Sequence, residues 1–136
     1  MILKKGNLLS GILARVNVPD FEGIIMPYGV LVPELQSHID ANTLMGCSIW
    51  SRDLRLSKVS FCVRQVIVIN KVDVFIICNI MDTVEGHRLL DVPDGGHKRL
   101  KFSCKFKEIT YYKSTNFDLD NHVCDIDISH INIIGC

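Results

Sequence analysis

The fold is decided by Val59-Ser-Phe-Cys-Val-Arg-Gln-Val-Ile-Val-Ile69, the pair Asn70-Lys71, and Val72-Asp-Val-Phe-Ile-Ile-Cys-Asn-Ile80. The first run is rich in β-branched residues, which is typical of a strand. In the second run alternate residues are apolar and share one face: Val72, Val74, Ile76, Cys78 and Ile80. Two such runs joined by a two-residue turn predict an antiparallel β-hairpin.

Further strands are predicted on either side of this hairpin. The first 14 residues are interrupted by Asn7 and Gly11 and run into Arg15, so we interpret them as a first strand and not as a signal peptide. Residues 98–109 and 122–134 alternate in polarity, and the second of these ranges places Ile126, Ile128 and Ile134 on one face with His130 among them.

One helix is predicted near residues 28–41. Leu31, Leu35 and Ile39 follow helical spacing, and Pro33 favours a helix start close to it. The segment 91–96 contains Asp-Val-Pro-Asp-Gly-Gly and predicts a loop. The expected fold is therefore mainly β, a barrel with one or two short helices and α+β in detail, forming a single domain over residues 1–136.

Composition narrows the range of partners. The net charge is zero by formal count and 48% of the residues are apolar. No basic stripe is visible, so we expect no nucleic-acid partner. No stretch approaches the roughly 18 apolar residues of a membrane helix, so we expect no membrane partner. A neutral, apolar small protein fits an assembly in which neighbours cover its surface.

The six cysteines are spread along the chain without any Cys-x-x-Cys spacing. Zinc sites usually contain such a pair, so we expect no zinc and no other metal or cofactor. Reduced thiols that pack as small apolar side chains are the expected state.

Several segments resemble, in order, the prohead (capsid maturation) protease family of tailed phages, which has a herpesvirus assemblin-like fold. The segment Ile80-Met-Asp-Thr-Val-Glu-Gly-His-Arg-Leu89 is similar to the family pattern I-L-D-T-P-N-G-R-I-L. The other similar segments are Asp20–Pro27, Leu44–Gly46, Val59–Arg64, Phe102–Phe106 and Cys124–Ser129. The resemblance implies a prohead protease-like fold, with Ser103 at the position of the nucleophile.

The same resemblance implies that the catalytic base has been lost. Where the family has Asp-His-Pro the chain has Ile49-Trp50-Ser51, and where the family has Val-Ser-His the chain has Val59-Ser60-Phe61. Trp50 and Phe61 thus stand at the two histidine positions, and neither side chain can accept a proton from a serine. Ser103 is predicted to be a vestigial nucleophile.

Other polar residues are candidates for a replacement base or for metal ligands. His87 and His97 flank a glycine-rich loop and are candidates to reach Ser103, while His38, His122 and His130 are interpreted as ordinary surface or partly buried histidines. Asp118, Asp120, His122 and Asp125 lack the glycine and the distal glutamate of a calcium loop, so no calcium site is predicted.

The only basic run is interpreted as a solvated face, with docking to an acidic capsid surface as the functional alternative. We call it the basic set, and it consists of Lys98, Arg99, Lys101, Lys105 and Lys107.

The sequence therefore indicates a catalytically inactive, prohead protease-like structural protein of a phage particle that binds the capsid lattice as a decoration, cement or minor head protein. Three alternatives stay open: an inactive scaffold or core component of the prohead, an active serine maturation protease with a relocated base at Ser103, and a host-directed phage protein. The resemblance implies the major capsid protein or other head subunits as partners, a multimeric place in the assembly, and residence in the virion after synthesis in the host cytoplasm.

Overall fold

The computed structural model describes residues 1–48, 58–93, 95–112 and 121–135. Two α-helices lie in these ranges, α1 (Tyr28–Asp40) and α2 (Val84–Leu90), with a short 3-10 helix at Gly96–Arg99. The strands are β1 (Ile2–Lys5), β2 (Leu8–Arg15), β3 (Ile24–Ile25), β4 (Met45–Cys47), β5 (Phe61–Ile69), β6 (Asp73–Ile80), β7 (Leu100–Tyr112) and β8 (Asn121–Gly135). None of the described helices is long and apolar enough to cross a membrane.

The predicted central hairpin is confirmed. β5 and β6 pair antiparallel, with Ile67 opposite Phe75 and Ile69 opposite Asp73. Asn70 and Lys71 both have positive φ, at 55° and 60°, as the turn of a tight hairpin requires. The predicted inward face of β6 is buried from Val74 to Ile80 at every second residue.

The strands form one sheet in the order β1-β2-β6-β5-β4-β8-β3, and β7 pairs with the other edge of β8. Neighbouring strands are antiparallel, except that β3 and β4 run parallel to β8. The sheet curls into a half-barrel, so the prediction of a mainly β fold with two short helices is confirmed.

β-Bulges produce part of this curl and change which residues face the core. Ser129 is an extra residue in β8, because Lys105 pairs with His130 while Phe106 pairs with Ile128. A bulge shifts the alternation of side chains by one residue. Ile126 and Ile128 are therefore buried before the bulge, and Ile131 and Ile133 after it. The prediction that Ile134 shares the face of Ile126 and Ile128 is wrong for this reason.

Two local predictions near the N-terminal part of the chain need correction. The expected single first strand is a hairpin of β1 and β2, with Gly6 at φ 60° in its turn. Helix α1 begins at Tyr28, well before Pro33, which lies inside the helix. Pro33 removes one helical hydrogen bond. The buried stripe of α1, which packs on β5 and β8, outweighs that loss and consists of Leu31, Leu35 and Ile39, as predicted.

The centre of the core depends on a close approach between Gly46 and Phe61. Gly46 of β4 pairs with Phe61 of β5, and a methyl group on Gly46 would lie 1.9 Å from the Phe61 ring. The Phe61 ring also meets the ring of Phe102 at a centroid distance of 5.8 Å. The missing side chain at Gly46 therefore allows an aromatic contact between β5 and β7.

Helix α2 is fastened to the sheet by Thr83, which belongs to the segment that resembles the phage proteases. The Thr83 hydroxyl accepts a hydrogen bond of 3.0 Å from the Gly86 N–H and donates one to the Val59 carbonyl. A methyl group on Gly86 would lie 1.9 Å from the Met81 carbonyl oxygen. Thr83 and Gly86 therefore have a structural role at the start of this helix.

We expect Gly46→Ala to lower the free energy of unfolding by about 1–3 kcal/mol, because the added methyl group forces the Phe61 ring out of a packed site. Urea unfolding followed by circular dichroism measures this. Gly29→Ala is the matched control, since a methyl group there meets no atom within 4 Å. Equal stability of the two variants would contradict the proposed contact.

We expect Thr83→Val to lower the free energy of unfolding by about 2 kcal/mol, because it removes the helix cap and leaves the Val59 carbonyl without its hydroxyl donor. Thr83→Ser keeps the hydroxyl and should retain most of the stability in the same unfolding assay. A serine variant as unstable as the valine variant would show that the methyl group matters and the hydroxyl does not.

Candidate functional site

Ser103 lies on the outer face of the sheet, near the beginning of β7. Its neighbour Phe102 is buried in the core, and side chains alternate along a strand, so the Ser103 side chain points away from the core. Ser103 pairs directly with Asn132 of β8. The next outward residue of β7, Lys105, pairs with His130.

These four residues form a compact polar group on one face, which we call the outer-face quartet: Ser103, Lys105, His130 and Asn132. Side chains directly opposite each other in an antiparallel pair lie about 5 Å apart at Cβ, and diagonal neighbours about 7 Å apart. His130 is diagonal to Ser103. It is the histidine that the strand register brings to the serine.

His130 is a poor base in this position. Burial lowers its pKa most strongly, the interaction with the Asn132 side chain raises it, and the positive charge of Lys105 lowers it further. Its Nδ1 lies 2.8 Å from the Ser129 hydroxyl, and its Nε2 is buried without a hydrogen-bond partner. The imidazole is therefore neutral at pH 7, and uptake of a proton is unfavourable.

No carboxylate pairs with His130 among the described residues. The histidine–carboxylate pairs found there are His38–Glu34 at 3.1 Å and His87–Asp82 at 2.7 Å. A catalytic imidazole normally depends on a carboxylate that stabilises its protonated form. The quartet offers hydrogen-bond donors and acceptors, but little support for proton transfer from Ser103.

Beside the quartet the outer face is buried and lined by small residues. Asn132 is 3% exposed and its Oδ1 has no hydrogen-bond partner. Cys47 of β4 pairs with Asn132 on the side away from Ser103 and is fully buried. Ser60, also fully buried, donates to the Gly46 carbonyl at 3.3 Å. Small polar groups therefore continue from Ser103 across β8 towards β5.

The structure does not bring Phe61 and Ser103 together. Phe61 is fully buried on the core side, against Phe102, whereas Ser103 faces outward. Trp50 lies outside the described residues. The assignment of these two aromatic residues to lost base positions stays a prediction.

The other histidines are engaged elsewhere. His97 is buried and its Nε2 lies 2.9 Å from the Leu89 carbonyl oxygen. His87 is exposed on α2 in its pair with Asp82. His122 lies at the far end of β8, with its ring 4.9 Å from that of Tyr112. None of these contacts includes Ser103, so the hypothesis that His87 or His97 serves as its base receives no support.

Two groups of residues are candidates for binding a metal ion. Of the residues considered for calcium, Asp118 and Asp120 lie outside the described residues, and Asp125 accepts a hydrogen bond from the Ile126 N–H. Among the described residues one group brings three metal-ligating atoms within 4.8 Å of one another, and it consists of Glu34, His38 and Asp127.

The basic set is exposed, as expected for a solvated or docking face. Lys101 and Lys105 lie on the outer face on either side of Ser103. Lys107 is an extra residue in β7, because Phe106 pairs with Ile128 and Glu108 with Asp127. Because of this bulge, Lys107 breaks the regular alternation that places Lys101 and Lys105 on one face. Lys98 and Arg99 lie in the 3-10 helix that precedes β7.

Two of the quartet residues were missed as site residues. The sequence pattern places His130 on a strand but does not link His130 or Asn132 to Ser103, because their closeness depends on the pairing of β7 with β8. The signal that could have found them is the register of β7 against β8, which the bulge at Ser129 conceals in the sequence.

Comparison with known proteins supports the fold. No protein-family model matches the chain, and no curated protein sequence matches it. A solved structure that is similar is that of the capsid assembly protease of bacteriophage T4, with a TM-score of 0.67 and 10% sequence identity. The match covers 95% of this chain and 81% of the other. The chain therefore has a prohead protease-like fold.

Proposed function

We propose that this chain is a catalytically inactive head protein of a tailed phage that binds the capsid lattice as a decoration, cement or minor head component. The observation that carries the proposal is the state of His130. It is the imidazole placed nearest to Ser103 by the strand register, yet its pKa is lowered and Lys105 lies opposite it. A general base works best with a pKa near the working pH and a partner for its charged form.

The folded framework of the chain is compatible with a binding role. The curled sheet, the aromatic contact of Phe61 with Phe102 and the cap of α2 are all in place. The exposed lysines around Ser103 form a positive surface suited to an acidic patch on a capsid subunit. Repetition of that contact over a lattice makes a modest affinity per site sufficient. The major capsid protein is the partner that this proposal favours.

A serine hydrolase that uses His130 as a relocated base is the second candidate. The observation in its favour is that a neutral imidazole lies diagonal to Ser103 on the same face. A fluorophosphonate probe tests it directly, since such probes label activated serines. Labelling of the wild type that is lost in both Ser103→Ala and His130→Ala would establish this candidate and overturn the inactive one.

We expect the pKa of His130 to lie below the ordinary value of about 6.5 and to move towards that value in Lys105→Gln. NMR titration of the imidazole C–H signals measures both. The folded state resists protonation while the unfolded state accepts a proton near pH 6.5, so stability falls as the pH falls through and below that value. The pH dependence should be weaker in His130→Gln, and an unchanged dependence would contradict the assignment.

We expect Lys101→Glu combined with Lys105→Glu to reduce cosedimentation of the protein with mature phage heads at least tenfold, because it reverses the charge of the outer face. Ser103→Ala, between the two lysines, is the matched control and should leave both cosedimentation and head maturation unchanged. If Ser103→Ala abolishes the processing of head proteins, the chain is a protease and the proposal is wrong.

A further inference from the structure

The outer face of β1, β2, β6 and β5 carries several large apolar side chains on the opposite side of the sheet from the core. The polar residues Ser10, Gln65 and Asn79 lie among them. The residues adjacent in sequence, such as Ile2, Leu9 and Ile76, are buried in the core, so the alternate ones point outward. We call this surface the apolar face, and it consists of Leu3, Leu8, Ile12, Ile67, Ile69, Phe75 and Ile77.

The register places these side chains in rows across the strands. Ile12 of β2 pairs with Phe75 of β6, which pairs with Ile67 of β5. Ile12 is 49% exposed and Ile67 is 38% exposed, on either side of the partly exposed phenyl ring. Aromatic residues, phenylalanine among them, are enriched in protein interfaces relative to the rest of the surface.

An antiparallel sheet with one face in water normally carries polar residues on that face. The central hairpin carries apolar residues on both faces. Two of its exposed large side chains, Ile67 and Ile69, lie on the same surface as Leu3 of β1 and Leu8 and Ile12 of β2. A contiguous apolar patch of this kind marks an interaction surface. The pattern calls for a partner that covers the face.

We propose that a second copy of this chain covers the apolar face, in a dimer whose two-fold axis runs parallel to the strands between β2 and β6. Such an axis keeps each row in place and exchanges β2 with β6. Ile12 of each copy then lies over Phe75 of the other. The charged residues at one end of the apolar face favour this arrangement over other relative orientations of the two copies.

Arg15 and Asp73 carry the charge complementarity. They pair across β2 and β6 at one end of the apolar face, with 3.8 Å between the guanidinium and the carboxylate. The two-fold axis places Arg15 of each copy over Asp73 of the other, so the pair becomes a four-membered network of alternating charge. The chain as a whole has zero net charge, so two copies meet without repulsion.

The size of the face fits a modest dimer. Four strands about 4.8 Å apart and rows about 6.8 Å apart give, with side chains, a footprint on the order of 500 Å² per copy. The total of about 1,000 Å² lies where specific interfaces begin. An interface at this lower limit is expected to be weak, and the dimer needs no phage head, which separates it from the proposed function.

Analytical ultracentrifugation of the full chain tests the proposal. The wild type should pass from 15.4 kDa to twice that mass as its concentration rises to about 100 µM, the range expected for an interface of this size. Ile12→Lys should remain a monomer throughout. Val84→Lys, at a 66% exposed apolar residue on α2, is the matched control and should dimerise like the wild type.

A charge swap tests the geometry. Arg15→Asp should weaken the dimer at least tenfold, and Arg15→Asp combined with Asp73→Arg should restore it; circular dichroism confirms that each variant is folded. A wild type that stays monomeric, a dimer that Ile12→Lys leaves intact, or a double variant that does not recover would overturn the proposal. Loss of head binding by Ile12→Lys in a monomeric wild type would assign the face to a capsid subunit instead.

Discussion

The rest of the structure depends on the space left by the missing side chain of Gly46. Because β4 has no Cβ at this position, the Phe61 ring lies against it and reaches Phe102 of β7 across the core. This contact ties the central hairpin to the β7–β8 pair, which lies on the other side of β4 in the sheet. The outer-face quartet is on β7 and β8, so its place relative to β4 and β5 follows from an aromatic contact on the opposite side of the sheet.

Features set by neighbouring residues could be predicted from the sequence, and features set by pairing between distant segments could not. The β5–β6 hairpin and the buried stripe of α1 follow from local periodicity, and both are confirmed. The bulge at Ser129 has no signature in composition, because any residue can occupy it. The closeness of His130 to Ser103 depends on the register of β7 against β8, which lie on either side of residues 113–120. The predicted start of α1 was wrong because Pro33 favours the first turn of a helix only as a local preference. The packing of the buried stripe of α1 outweighs that preference.

The outer face of the sheet has two regions that differ in chemistry. Around Ser103 the surface is polar and positively charged, and it includes two buried atoms without a hydrogen-bond partner, Asn132 Oδ1 and His130 Nε2. On β2 and β6 the outward residues include the large apolar side chains of Leu8, Ile12, Phe75 and Ile77. A sheet that is apolar on its inside and on part of its outside is typical of a subunit that works with neighbours. A fold similar to that of a capsid assembly protease is thus combined here with one polar and one largely apolar region on its outer face.

The extra residue at Ser129 has a consequence for how this surface can change over time. Before it, isoleucines at even numbers face the core, and after it the odd-numbered ones do. Without Ser129, the residues Ile128, His130, Ile131 and Asn132 would follow in regular alternation, so Ile131 would still face the core and Asn132 would still face outward. β8 can therefore lose or gain this one residue without reversing its two faces. Relatives that differ here by one residue would keep the same side chains beside the serine.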